Sequence, residues 1–252
     1  MVNNKDLFQT SEFEQWASAS GLTVEEAYLV DRFLEKEACL LEAGTGGGRI
    51  LLALSRMGFR SLSGFDYVSD LIEQARDKQN AEHIDFRAME AEHLTYSSDQ
   101  FDQVLYLQQI LSVIEEEAGR HRAVEEAHRV LKPGGVALFS LLIMEARTSH
   151  FLYRLFLNYL KRFRRLSRAD RSVQYQPWLR RGGRPNVAAL LDRPPYVYWA
   201  TVPEALQILR SAGFAVEHVG TTTQLRAGVF GTSEADLGPF RPSDKLFVVC
   251  RK

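Results

Sequence analysis

The chain has 252 residues, 45% hydrophobic and 25% charged. These are ordinary globular values, and they exclude a disordered chain, a collagen-like repeat and a coiled-coil rod. The net charge of −1 hides an asymmetry: from Arg147 to Arg184 eleven basic residues face Asp170 alone, a balance of +10 that leaves −11 on the rest. No apolar run reaches the roughly 18–20 residues that span a bilayer. Met1–Asp6 lacks the basic-then-apolar layout of a secretory signal, so a cytoplasmic protein is expected. Cys39 and Cys250 are the only cysteines, which speaks against a disulfide scaffold or a thiolate metal site.

Residues 1–37 read as helical: Phe8, Phe13 and Trp16 are spaced for one face, and Thr23-Val24-Glu25-Glu26 opens a second helix as a capping box. Strand-like and helix-like segments then alternate. Residues 39–43 form a short apolar strand ending at a glycine cluster, and 49–56 has helical periodicity closed by Met57-Gly58. A second strand is expected at 61–66, a second helix of the alternation at 70–78, a third strand at 84–88 and a fourth at 102–107. The helix at 117–131 is stopped by Lys132-Pro133-Gly134-Gly135, and the fifth strand at 136–143 is apolar enough for burial on both faces. A helix at 202–212, a sixth strand to 219 and a last strand at 245–251 complete the pattern. No clear helix separates the last two strands, so an antiparallel pairing is expected. This alternation implies a parallel doubly wound α/β sheet. One domain over 1–252 is expected, with 1–37 as a helical cap and 145–200 as a basic lid insertion after strand five.

Glu42-Ala43-Gly44-Thr45-Gly46-Gly47-Gly48-Arg49 lies between the first strand and its helix. Glycines there permit tight turns and let the backbone approach a ligand beside the positive helix end. The loop is not a dinucleotide fingerprint. Counted from Gly44 it needs glycine or alanine where Arg49 stands, and counted from Gly46 it needs one where Leu51 stands. A phosphate-gripping Gly-Lys-Ser/Thr is absent too. Asp66 closes the second strand about 20 residues after the loop, a position that suits hydrogen bonds to ribose hydroxyls and repels a 2′-phosphate.

Four motifs occur in a characteristic order and spacing: Glu42-x-Gly44-x-Gly46-x-Gly48; Asp66; Phe101-Asp102; and Arg129-Val130-Leu131-Lys132-Pro133-Gly134-Gly135 before strand five. With Ala212-Gly213-Phe214 before strand six, they resemble the class I S-adenosylmethionine-dependent methyltransferases of the small-molecule or lipid type, such as those of ubiquinone biosynthesis. The resemblance covers roughly residues 38–143 and 198–251. It implies a Rossmann-like seven-stranded sheet of order 3-2-1-4-5-7-6 with strand 7 antiparallel. It also implies S-adenosyl-L-methionine as cofactor and S-adenosyl-L-homocysteine as product. By position, Glu42, Ala43 and the backbone of Gly44, Gly46 and Gly48 would hold the amino-acid end, Asp66 the ribose and Tyr67 the adenine face. Glu90 would meet the adenine amine, with the Ala91 amide near the ring, and Leu107 and Gln108 would line the transfer site. No metal is expected, because Gln108-Gln109 offers no carboxylate after strand four. His83, His93, His121, His128 and His218 share no ligand spacing.

The implied function is in-line transfer of a methyl group to oxygen or nitrogen of a small-molecule or lipid-like acceptor, an anionic one included. Such chemistry asks the protein for positioning, electrostatics and exclusion of water. A base is needed only where the acceptor must lose a proton, and Glu145, His150 and Tyr153 are the candidates, with Arg147 beside them. The basic insertion is open to four readings: a substrate lid, recognition of an anionic acceptor, docking on anionic lipid, or contact with RNA. The alternative functions are an RNA (tRNA) methyltransferase and a non-catalytic S-adenosylmethionine-binding partner subunit.

Overall fold

The computed structural model describes residues 3–78 and 84–252. Its N-terminal segment holds α1 (Asn4–Gln9), α2 (Phe13–Ser18) and α3 (Val24–Phe33). The first expected helix is thus divided. Thr10 leaves helical geometry and its hydroxyl donates to Asp6 O at 2.6 Å, a local bond that competes with helix continuation. The capping box of α3 forms as expected: Thr23 Oγ1 accepts from Glu26 N and Glu26 Oε2 accepts from Thr23 N. Glu26 also takes both arms of the Arg49 guanidinium at 2.7 Å, which ties α3 to the start of the helix after the glycine loop.

The alternation follows as β1 (Cys39–Ala43), α4 (Arg49–Arg56), β2 (Ser61–Asp66), α5 (Ser69–Lys78), β3 (Asp85–Ala88) and β4 (Phe101–Tyr106). After it come α6 (Ile110–Val113), α7 (Glu117–Val130) and β5 (Leu131–Leu142). The strand β5 starts earlier than expected because Lys132–Gly135 is taken up as an irregularity against β4. Phe101 pairs with Leu131, and Gln103 already pairs with Val136.

Residues between β5 and the last helical pair form the insertion: α8 (Met144–Thr148), α9 (Phe151–Ser167), β6 (Tyr175–Pro177), β7 (Arg180–Arg181), β8 (Arg184–Pro185) and β9 (Tyr196–Tyr198). The chain closes with α10 (Val202–Ser211), β10 (Ala215–Thr221), α11 (Thr222–Arg226) and β11 (Lys245–Arg251). The main sheet runs β3-β2-β1-β4-β5-β11-β10, with β11 antiparallel to both neighbours. Numbered within the sheet this is 3-2-1-4-5-7-6, as expected.

Alternation along the strands sends side chains to two cores. Leu41, Val104 and Phe139 join Val124 of α7 and Leu209 of α10 on one face. Leu40, Leu105 and Leu138 join Leu29 of α3, Leu54 of α4 and Ile72 of α5 on the other. No helix among the described residues is long and apolar enough to cross a membrane.

The insertion is locked by a buried ion pair that a count over 147–184 misses. Arg164 bonds Asp192 through Nε at 2.7 Å and Nη2 at 2.6 Å, and it also donates to the carbonyls of Ser172 and Tyr175 at 2.6 Å. Both side chains are only 4% exposed. Removing one partner strands a buried charge. Arg164→Leu is therefore expected to destabilise the protein by about 3–5 kcal/mol in urea unfolding, with early proteolytic cutting inside 168–198.

Candidate functional site

The strand order reverses between β1 and β4, and loops leaving their carboxyl ends bound a crevice of the kind where open α/β sheets bind ligands. β1 runs into the 44–48 turn, where Gly44 and Gly46 adopt φ of +61° and +53°, a region that side chains disfavour. A Cβ on Gly44 would also lie 2.0 Å from Ile110 Cδ1, so a side chain there would displace Ile110 as well as strain the backbone.

Two acids hold this turn. Glu42 is fully buried and accepts from Thr45 Oγ1 at 2.7 Å and from Gln108 Nε2 at 3.2 Å; the same amide donates to Gly44 O at 3.2 Å. Asp66 accepts from the Gly46 N–H at 2.9 Å and the Val68 N–H at 3.0 Å. Burial raises the Glu42 pKa from 4.5 to about 7, with the Thr45 bond and the Arg49 charge offsetting part of the effect. Burial likewise raises Asp66 from 3.8 to about 6 against the pull of its backbone donors.

A cavity of about 440 Å³ opens in front of them, a size usual for small-ligand sites. Of the expected cofactor residues, Gly44, Gly46, Asp66, Tyr67, Glu90, Ala91 and Gln108 line it. Glu42, Ala43, Gly48 and Leu107 stand behind that wall. Ala43 and Leu107 belong to the two cores, and Gly48 caps α4 in a left-handed conformation.

Sequence reasoning missed the opposite wall as a set of residues. It is made by Asn3, Asn4, Lys5 and Phe8 at α1, Trp16 of α2, and Val113 to Glu116 after α6. Expecting the first 37 residues to cap the fold was the only signal available. It could not say which side chains turn inward. Asn4 is the fastener: its amide donates to Val113 O and Tyr196 O at 2.8 Å, and its Oδ1 accepts from Trp178 Nε1 at 2.9 Å. The Lys5 ammonium sits 5.6 Å from the Tyr67 ring centre and 3.7 Å from Glu90 Oε1.

Three lining residues carry buried polar atoms without hydrogen-bond partners among the described residues: Trp16 Nε1, the Tyr67 hydroxyl and Glu115 Oε1. Buried polar groups are normally satisfied, so these are atoms that a polar ligand would complete. The wall is strongly acidic. Asp66, Glu90, Glu92, Glu115 and Glu116 face Lys5 as the one lining cation among the described residues, and Glu92 is held by Arg122.

The candidate bases lie elsewhere. Glu145 Oε1 accepts from the Val202 N–H at 3.0 Å at the start of α10. His150 caps α9 by accepting from the Leu152 N–H at 3.3 Å. Tyr153 lies against Arg147, whose guanidinium is 4.2 Å from its ring and 3.8 Å from that of Trp199. None of the three lines the cavity. Among the described residues no group of three or more His, Cys, Asp or Glu side chains is arranged to hold a metal ion; His83 lies outside the described residues.

Residues 41–139 match a family model described as a methyltransferase domain. A ubiquinone/menaquinone biosynthesis C-methyltransferase of Geotalea daltonii is 27% identical over 119 residues, covering 45% of this chain and 47% of that enzyme. The aligned stretches cover 34% and 47% of the curated relatives matched. Among solved structures, a Methanosarcina mazei S-adenosylmethionine-dependent methyltransferase superposes with a TM-score of 0.67 at 18% identity, covering 89% of this chain and 96% of that one. The Burkholderia thailandensis 1,6-didemethyltoxoflavin-N1-methyltransferase, solved with 1,6-didemethyltoxoflavin and S-adenosylhomocysteine bound, gives 0.59 at 17% identity over 99% and 87% of the two chains. Residues 41–139 thus match a methyltransferase domain, and the chain shares its Rossmann-like fold with solved S-adenosylmethionine-dependent methyltransferases.

The raised carboxyl pKa values fix a pH dependence. The folded chain keeps protons on Glu42 and Asp66 where the unfolded chain has released them, so their contribution to stability falls as pH rises from about 4 to about 7. Glu42→Gln is expected to gain stability at about pH 8 relative to about pH 5, by on the order of 2 kcal/mol in urea unfolding.

Proposed function

We propose that the protein is an S-adenosylmethionine-dependent methyltransferase acting on oxygen or nitrogen of a small-molecule or lipid-like acceptor. The observation that carries this reading is the convergence of the 44–48 turn, Asp66 and three unpartnered polar atoms on one acid-walled cavity. Such a wall suits a ligand bearing sulfonium and ammonium charges and disfavours the pyrophosphate of a dinucleotide.

S-adenosylmethionine, when bound, supplies an electrophilic methyl group on sulfur. The chain's own residues do the rest. Asp66 presents carboxylate lone pairs not used by Gly46 and Val68 to the ribose hydroxyls. Tyr67 offers its ring to the adenine, and Glu90 with the Ala91 amide takes the adenine edge. The Gly44 and Gly46 backbone and Gln108 hold the amino-acid end, while Glu42 keeps Gln108 and Thr45 in place from behind. Ala43, Gly48 and Leu107 shape the turn from the core side. Phe8 and Trp16 roof the cavity and exclude water, which strengthens each electrostatic contact inside.

Leu71, Ile110, Val113 and Ile114 give the wall an apolar part beside Glu115 and Glu116, and this part fits an acceptor that is neutral at its reacting end. The small-molecule substrate bound by the Burkholderia enzyme supports an acceptor of this size. Glu115 is the carboxylate placed to take a proton from it. Burial raises its pKa, offset in part by the backbone N–H of Tyr196, the charge of Arg171 and the backbone N–H of Asn4, and its Oε1 has no hydrogen-bond partner among the described residues.

Calorimetric titration is expected to show S-adenosylhomocysteine binding with Kd on the order of 1–100 μM, roughly −8 to −5.5 kcal/mol. NAD should not bind, and Asp66→Ala should abolish the signal while circular dichroism stays native. Absence of binding to the folded protein would overturn the cofactor assignment. With a hydroxyl or protonated-amine acceptor, Glu115→Gln is expected to lower kcat by about 10²–10⁴-fold while S-adenosylhomocysteine affinity stays unchanged.

A further inference from the structure

Of the eleven large apolar side chains that stand exposed among the described residues, eight lie between 151 and 191. Their arrangement on α9 is regular. Leu157, Leu160 and Arg164 are buried against the protein, whereas Phe151, Leu155, Tyr159 and Leu166 recur on the outer side with Leu152 beside them. Exposure reaches 61% at Phe151, 65% at Leu152 and 86% at Leu166. The Tyr159 hydroxyl donates to Leu190 O and so brings the 187–191 turn to the same side. That turn adds Val187, Leu190 and Leu191, all exposed.

The charges follow the same order. Arg154, Lys161 and Arg165 recur seven and four residues apart, forming a row beside the apolar stripe, and Arg162 falls within the stripe itself. All four are exposed, and none forms an ion pair among the described residues. The insertion's inner cations are spent differently: Arg164 on Asp192, Arg147 on Trp199 and Tyr153.

We propose that α9 and the 187–191 turn form a docking surface for an anionic lipid bilayer. The helix lies in the interface, its leucine and aromatic stripe among the upper acyl chains and its Arg/Lys row at the phosphates. Charge complementarity selects this occupant. A second copy in a two-fold contact would bring like cationic rows together. RNA would leave the exposed leucines of the stripe, Leu152, Leu155, Leu166, Leu190 and Leu191, in water, whereas acyl chains cover them. Neither the stripe nor its cations line the cavity, so the inference stands independently of the methyltransferase reading.

Vesicle flotation of the full chain without cofactor tests it. Binding is expected to phosphatidylcholine vesicles containing phosphatidylglycerol, weakening as salt rises, and not to phosphatidylcholine alone. Leu152→Ser with Leu155→Ser should weaken binding roughly tenfold or more, and Arg154→Gln with Arg165→Gln by about 25-fold. Both pairs are exposed, so the thermal midpoint should be unchanged in each. No flotation, equal binding to neutral vesicles, or binding indifferent to the leucine pair would overturn the proposal. So would a dimer or a tRNA complex that the leucine pair abolishes while vesicles fail to bind. Because no cofactor is present, any of these failures leaves the proposed activity standing.

Discussion

Glu42 and Asp66 are buried carboxylates with no ion pair among the described residues, set beneath the loop at the point where the strand order of the sheet turns. Carboxylates held this way need donors, and the local backbone is arranged to provide them. Gly46 and Val68 give their N–H groups to Asp66; Thr45 and Gln108 turn side chains toward Glu42. Hydrogen bonds to charged groups contribute about 1.5–3 kcal/mol each, which does not cover the cost of burial here, since both pKa values remain raised. Asp66, Glu90 and Glu115 together make the cavity wall acidic.

The roof of the cavity depends on a second constraint. Asn4 bridges the N-terminal helices, the segment after β4 and the insertion with three hydrogen bonds from one short side chain. Two parts of the chain lying 109 to 192 residues from Asn4 thereby meet it over the same opening, and Phe8 and Trp16 are carried into place with it. The insertion is held together by its own contacts, chiefly the Arg164–Asp192 pair and the arginines over the rings of Tyr153, Tyr196 and Trp199. Its basic character therefore divides into an inner group that holds the insertion together and an outer group that faces away from the protein.

Most of the sheet was legible because its determinants are local. Short apolar runs, Met57-Gly58 and the Thr23–Glu26 box each act within a few residues, and strand–helix alternation then restricts topology. The 44–48 turn and Asp66 were legible for the same reason, since steric demand and sequence spacing locate them without tertiary information. Two local readings were revised by local competition: the break after Gln9, and the absorption of Lys132–Gly135 into β5.

The sequence by itself determined the alternating architecture, the glycine turn, the acid at the end of β2 and the concentration of cations in one insertion. Tertiary structure decided which residues face the cavity. Glu145 and His150 follow β5 closely in sequence, yet one caps α10 and the other α9. Glu115, Lys5 and Trp16, from three separate elements, line the cavity instead. Tertiary structure also decided that Arg164 is buried and paired while Arg154 and Arg165 stand exposed. Side-chain direction and burial come from packing between distant segments, and periodicity within one segment carries no record of what that packing will cover.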